Sequence, residues 1–318
     1  MTAPIRFEPL YQERVWGGRS LADKLGRSLP PDRPIGESWE VVDRPEAQSV
    51  AAGGQFSGMT LREILLADSA SIMGPGYEPE RPFPILVKWL DCRERLSLQV
   101  HPPPPVAPEL GGEPKTENWY IADAEPGSGL LAGLRPGVTR EAFERALKEE
   151  TLESCVHRFE VGRGDSLFVP SGRIHAIDGG NLILEVQQNS DTTYRVYDWG
   201  RVGLDGEKRQ LHIKESLACI DFEDVSPEPL RASREDAVLA ECAEFRLRKV
   251  RFGAGCPDLR IGPGAGPSLL HVVEGDVRLR GEDSVFRRGD NALLPASGEF
   301  AFGANGEAVV LVTDRFAD

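Results

Sequence analysis

The 318-residue chain carries 37 basic against 51 acidic residues, a formal net charge of −14 with a pI near 5.0. With no run of Lys and Arg interleaved with aromatics, this balance excludes a nucleic-acid-binding surface. The chain is longer than a usual single domain, so one large or two moderate cores are expected from its 40% hydrophobic and 28% charged residues. No stretch approaches the roughly 18 apolar residues of a membrane span, and MTAPIRFEPLYQERVWGG lacks a secretory apolar core; a cytoplasmic protein without membrane contact is expected.

Gly 34 and Pro 25 imply many turns and a strand-rich chain. The first ninety residues alternate short apolar runs such as WEVVD and FPILVKWLD with turns and two brief helices. Ser20, Asp23 and Gly26 outline a cap, one or two helical turns and a stop, and Thr60 with Glu63 has capping-box spacing ahead of Ile64 and Leu65. In LSLQVHP, strand alternation places Ser97, Gln99 and His101 on one face and Leu96, Leu98 and Val100 on the other. The four prolines from Pro102 to Pro105 then end that strand in an extended loop. By the same alternation KTENWY sets Lys115, Glu117 and Trp119 on a common face, and GDSLFVPSGRIHAI delivers His175 after a Pro and a Gly. Two imidazoles, a carboxylate and an amide oxygen are a donor set that closes around one divalent ion.

The clearest helix runs from Thr139 to about Ser154, with Phe143, Ala146 and Leu147 as its apolar stripe, and it is expected to pack on the outside of a sheet. Glu185, Gln187, Asn189 and Asp191 share a face if that run stays extended, and Ile213, Leu217 and Ile220 mark another helix. From about Arg231 onward, short strands alternate with Gly and Pro, so a catalytic domain over 1–232 and a small β domain over 233–318 are expected. An internal echo supports two similar domains: Gly164-Asp165 to Pro170 and Gly289-Asp290 to Pro295 share one G-D-x-φ-φ-φ-P frame, and only the first leads to a histidine. The five cysteines, Cys92, Cys155, Cys219, Cys242 and Cys256, form no CxxC pair and suggest neither disulfides nor a thiolate site.

The frame from Gly164 to His175 resembles the second motif of the cupin superfamily of metal-holding antiparallel barrels. RVWGG, IGESWEV, LSLQVHP, KTENWY and LEVQQNSDTTYRVYDWGR, in this order, resemble the type I phosphomannose isomerases in their shorter bacterial form. The resemblance implies a mainly β fold of two cupin, jelly-roll-like barrels with a few connecting helices. It implies one Zn²⁺ per chain on Gln99, His101, Glu117 and His175, a catalytic arginine at Arg195, and a sugar-phosphate substrate. The run of prolines after QVHP departs from the family's pattern, which has acidic residues there; the departure touches the rim of the site and leaves the ligands intact.

The implied reaction interconverts mannose 6-phosphate and fructose 6-phosphate by moving a proton between C2 and C1, which requires a base and a cation beside the developing oxyanion. Glu185 and Asp191 are the candidate bases, and Lys115 and Arg195 the candidate cations. Arg201 is a further anion contact or a surface ion pair, and Trp16, Trp39 and Trp119 offer sugar-stacking faces or core. His157, His212 and His271 match no ligand motif, so the second domain is expected to be metal-free. Two other readings compete: a metal-dependent cupin oxygenase, disfavoured by Gln99 where a further imidazole would stand, and a non-catalytic sugar-phosphate-binding cupin, disfavoured by Lys115, Glu185 and Arg195 beside intact ligands.

Overall fold

The computed structural model describes residues 2–316, which separate into two compact units. The first comprises Tyr11–Glu37 and Trp89–Ala232; the second comprises the N-terminal residues up to Leu10, Ser38–Lys88, and the chain from Ser233 on. One division between the units falls before Ser233. The assignment of all of 1–232 to one domain does not match these units, because the early segments hydrogen-bond to the C-terminal strands. Ile5 bridges Leu293, Asn291 Nδ2 donates to Glu40 Oε2 at 3.1 Å, and the Ala296 amide donates to the Ile72 carbonyl at 2.9 Å.

The architecture is mainly β, in open sheets that stay separate and do not close edge to edge. A six-stranded sheet runs in the order Leu10–Gly18, Ile35–Val41, Ile85–Cys92, Asn181–Gln188, Glu117–Ala124, Ser166–Val169. A five-stranded sheet has the order Tyr194–Tyr197, Leu98–Val100, His175–Ile177, Gly129–Leu134, Val156–Glu160. Side chains of both, among them Trp119, Ile121, Leu167, Leu130, Ala132 and Ile177, meet in one apolar cluster, which makes this a jelly-roll-like sandwich. Gly17 and Gly36 permit the close approach of their strands: a Cβ on Gly17 would lie 2.4 Å from the Gly36 nitrogen.

The opposite face of the five-stranded sheet is apolar as well. Leu98, Val100, Leu131, Ala176 and Val196 pack there against Phe143 and Ala146 of the helix Arg140–Lys148 and Cys219 of the helix Ile213–Cys219. Alternation along the strand therefore turns Gln99 away from these helices and into the sandwich. The first of the two helices begins at Thr139, whose hydroxyl accepts from the Ala142 amide, and ends six residues earlier than the sequence pattern suggests. Glu150 takes a left-handed φ of 56° while the Thr151 amide returns to the Ala146 carbonyl, closing a Schellman turn before the short 3-10 turn Leu152–Ser154. Near the N-terminus, Ser20 is the first helical residue and not the cap; Asp91 Oδ2 accepts from its amide at 2.5 Å. The capping box of Thr60 and Glu63 forms as expected.

The second unit has a five-stranded sheet in the order Ala237–Glu241, Arg246–Phe252, Ala308–Asp314, Ser268–Glu274, Asn291–Leu294. A four-stranded sheet, Leu259–Ile261, Phe300–Gly303, Asp276–Leu279, Val285–Arg287, completes it. Phe252, Leu270, Val272, Phe286, Phe300, Phe302 and Val310 fill its core.

Candidate active site

Three strands of the first unit deliver three buried ligand-type side chains to one point. His101 follows the strand Leu98–Val100, Glu117 opens the strand Glu117–Ala124, and His175 opens the strand His175–Ile177. One donor atom from each lies within 4.8 Å of the others. His101 Nε2 is 3.5 Å from Glu117 Oε2 and His175 Nε2 is 3.6 Å from Glu117 Oε1.

The backbone fixes both imidazoles. His101 Nδ1 donates to the Thr192 carbonyl at 2.9 Å, and His175 Nδ1 donates to the Arg173 carbonyl at 2.8 Å, which leaves each Nε2 as a lone-pair donor. Arg173 is itself held by Asp224 in a bidentate pair at 2.7 and 2.8 Å. No hydrogen-bond partner meets His101 Nε2, His175 Nε2 or either oxygen of Glu117, although all four atoms are buried. Burial of unpaired polar atoms is costly, so four that converge form a place for a divalent cation.

Electrostatics prepare the same donors. Burial, helped by Lys115, pushes the His101 imidazole down to about 3, and burial also lowers His175, so both rings are neutral. For Glu117, burial opposes ionisation, but the Lys115 ammonium leads the interactions that outweigh it and hold the carboxyl well below the usual range. Lys115 Nζ sits 3.0 Å from Glu117 Oε2 as an ion-pair contact outside hydrogen-bond alignment. Burial works against its charge too, yet Glu117, Glu185 and Asp191 raise the ammonium above its ordinary value.

Sheet register locates the other candidates. His175 pairs with Gln99, and Gln99 pairs with Arg195, so these three side chains form a row on the inner face of the five-stranded sheet. Arg195 Nη1 donates to the Gln210 carbonyl at 2.8 Å, and burial, with Arg209 nearby, lowers its guanidinium from the ordinary value. On the facing sheet Glu185 pairs with Trp119 and Gln187 with Glu117. Trp119 Nε1 donates to Glu185 Oε2 at 3.1 Å, and the indole stands edge-on to His175 at 5.3 Å. The strand ends at Gln188, so Asp191 does not continue the Glu185 face; it is exposed, within electrostatic reach of Lys115 and Arg14.

Three sequence candidates fall elsewhere. Arg201 is committed to Asp198 Oδ1 at 2.7 Å and to the Arg95 carbonyl, the ion-pair alternative. Trp16 is 4% exposed within the sandwich core, and Trp39 is 3% exposed, packed with Val42 and Leu86 in the second unit. Neither ring offers a face to a sugar. Trp119 is fully buried and serves as a hydrogen-bond donor instead of a stacking platform. The Thr192 and Arg173 carbonyls that orient the imidazoles carry no sequence signal, because any residue supplies a carbonyl. Arg14, in the RVWGG block, pairs with Glu37 at 2.8 and 3.0 Å and was readable only as part of that block.

A family model described as the phosphomannose isomerase type I catalytic domain matches residues 5–132. A mannose-6-phosphate isomerase of Bacillus subtilis is 36% identical over 320 residues, covering 97% of this chain and 98% of its own. A mannose-6-phosphate isomerase of Streptococcus mutans is 32% identical over 300 residues, covering 93% of each. The crystal structure of mannose 6-phosphate isomerase from Bacillus subtilis aligns with a TM-score of 0.86 at 30% identity, covering 99% of this chain and 100% of that one.

Proposed function

The chain belongs to the type I phosphomannose isomerases, enzymes that interconvert mannose 6-phosphate and fructose 6-phosphate, and we propose that its reaction runs at His101, Glu117 and His175, with Gln99 as fourth ligand of a zinc ion. The observation that carries this reading is the convergence of four buried donor atoms without hydrogen-bond partners on neutral imidazoles and an ionised carboxylate. Two nitrogens, a carboxylate and an amide oxygen suit Zn²⁺, which when bound supplies Lewis-acid polarisation of the sugar's oxygens.

The remaining roles fall to the chain's own groups. Glu185 carries the proton between C2 and C1; its carboxylate is held by Trp119 Nε1 on one oxygen, and a base fixed this way needs no reorganisation during transfer. Asp191, exposed, tunes the field at Lys115. Lys115 and Arg195 face the negative charge that develops on the enediol oxygens or arrives with the phosphate; the planar fork of arginine suits either anion. Catalysis is confined to the first unit, and the chain from 233 on is metal-free. No helix among the described residues is long and apolar enough to cross a membrane. A phosphorylated sugar substrate suits a cytoplasmic enzyme.

A coupled assay that follows fructose 6-phosphate from mannose 6-phosphate, with chelator and after zinc is restored, tests the reading. Activity lost on chelation and recovered with zinc supports it; full activity in metal-free protein overturns it.

A further inference from the structure

Gln187 lies one rung from the proton carrier and directly across the sheet from Glu117, and no role described so far uses it. Paired residues on neighbouring antiparallel strands share a face, and the adjacent pair shows this directly, since Trp119 reaches Glu185 at 3.1 Å. Gln187 is 0% exposed. Its Nε2 donates to the Gln188 carbonyl at 2.7 Å and to the Ser190 carbonyl at 2.6 Å. Carbonyls only accept, so the amide has a single orientation; a flip would set Oε1 against both of them. Oε1 is thereby left buried and without a hydrogen-bond partner.

Resting on the isomerase reading above, we propose that Gln187 is a specificity-determining residue whose Oε1 accepts a hydrogen bond from a ring hydroxyl of the sugar. The site requires a donor there, and the substrate brings donors only as hydroxyls. The phosphate dianion brings only acceptors, so it belongs near Lys115 and Arg195 and away from Gln187. An acceptor locked by two backbone contacts is preorganised, and a ligand that lacks the matching hydroxyl leaves it buried and unpaired.

Calorimetric titration of the zinc-loaded full chain with mannose 6-phosphate and its monodeoxy analogues, each lacking one ring hydroxyl, tests this. Wild type should bind one analogue about tenfold more weakly than the parent, the cost expected when a buried acceptor loses its donor. In Gln187→Met and Gln187→Leu, with zinc content unchanged, that discrimination should collapse to about onefold, because the acceptor is gone for parent and analogue alike. A purely structural role for Gln187 would weaken all ligands equally and keep the discrimination, and that result overturns the proposal. So does wild type that distinguishes none of the analogues, which needs no variant to fold. Loss of zinc from both variants, with the discrimination retained in what binds, assigns Oε1 to the metal's surroundings and also overturns it. Wild type that fails to bind mannose 6-phosphate at all strikes the isomerase reading itself, a different result from equal binding of the analogues.

Discussion

The turns at Gly164-Asp165 and Gly289-Asp290 are built alike. Each glycine is left-handed, with φ of 92° and 98°, and each aspartate Oδ2 accepts from the amide three residues back, Gly162 at 3.1 Å and Arg287 at 2.9 Å. Each turn then feeds a four-residue strand that stops before a proline. Beyond the proline the two units part. His175 stands five residues after Pro170, and Phe300 stands five after Pro295. Val169 pairs with Glu117, whereas Leu294 pairs with Ser268; His175 pairs with Gln99, whereas Phe300 pairs with Ile261. At matching positions the first unit has Glu117, His175 and Gln99, and the second has Ser268, Phe300 and Ile261. The frame specifies a turn and a strand, and the chemistry resides in the residues that the strand pairing brings opposite it.

The largest effect should come from removing a ligand. His101→Ala is expected to lose its zinc and to lower kcat/KM by more than about a hundredfold, since even outer contacts of metal ligands are worth 10–100-fold. Elemental analysis beside the coupled assay decides it; zinc near one per chain in the variant would remove His101 from the site.

The mirror experiment strikes the matching position of the second unit. Phe300 is 2% exposed in the apolar cluster, so Phe300→Ala should cost roughly 3–5 kcal/mol of stability by leaving a cavity. Zinc content and kcat of the folded fraction should stay at wild-type values. Urea melts together with metal analysis test this, and a stoichiometric zinc loss would show that the second unit contributes to the centre.

Arg195→Ala sharpens the contrast within the first unit, because arginine lies in the row with Gln99 and His175 without being a ligand. We expect kcat to fall by about a hundredfold with zinc unchanged, and Arg195→Lys to recover only part of it for want of the planar fork. Turnover near the wild-type rate in Arg195→Ala would sink the assignment.

Much of this comparison was legible in the chain. Period-2 alternation put Gln99 opposite to Leu98 and Val100, and the structure buries those leucine and valine side chains against the outer helices. Alternation could not say that Glu185 would meet Trp119, because register between distant strands is written in no local pattern. The same limit explains the grouping of 38–88 with the C-terminal strands, which depends on pairings such as Asn291 with Glu40 across most of the chain. It also explains Trp39, whose motif IGESWEV straddles the two units. The helix overrun past Lys148 has a different origin: Glu149, Glu150 and Thr151 are acceptable helix residues, and only the left-handed turn at Glu150 stops them.

The smallest expected effect concerns the one histidine of the second unit, His271, which is fully buried and tied to polar neighbours, where His101 and His175 of the first unit each hold an Nε2 without a hydrogen-bond partner. Asn291 Nδ2 donates to Glu40 Oε2 and to the Gly289 carbonyl, so Asn291 Oδ1 faces the ring and His271 Nδ1 donates to it at 2.8 Å. Thr313 then donates its hydroxyl to His271 Nε2 at 2.9 Å, which fixes a neutral ring with no free lone pair for a metal. Burial pushes this imidazole down from 6.5 to about 4, with the Asn291 contact opposing the shift. A folded-state value below the unfolded one means that the unfolded chain binds the proton more readily. The contribution to stability is therefore complete above 6.5 and is lost as pH falls toward about 4. Between about pH 7 and about pH 5 the loss should be about 2 kcal/mol. His271→Gln cannot titrate there, so its stability should fall less than wild type over the same interval by about that amount, while zinc content and kcat stay unchanged. Urea melts of both proteins at the two pH values measure the difference; equal losses would mean that His271 is not the group that acid attacks in the metal-free unit.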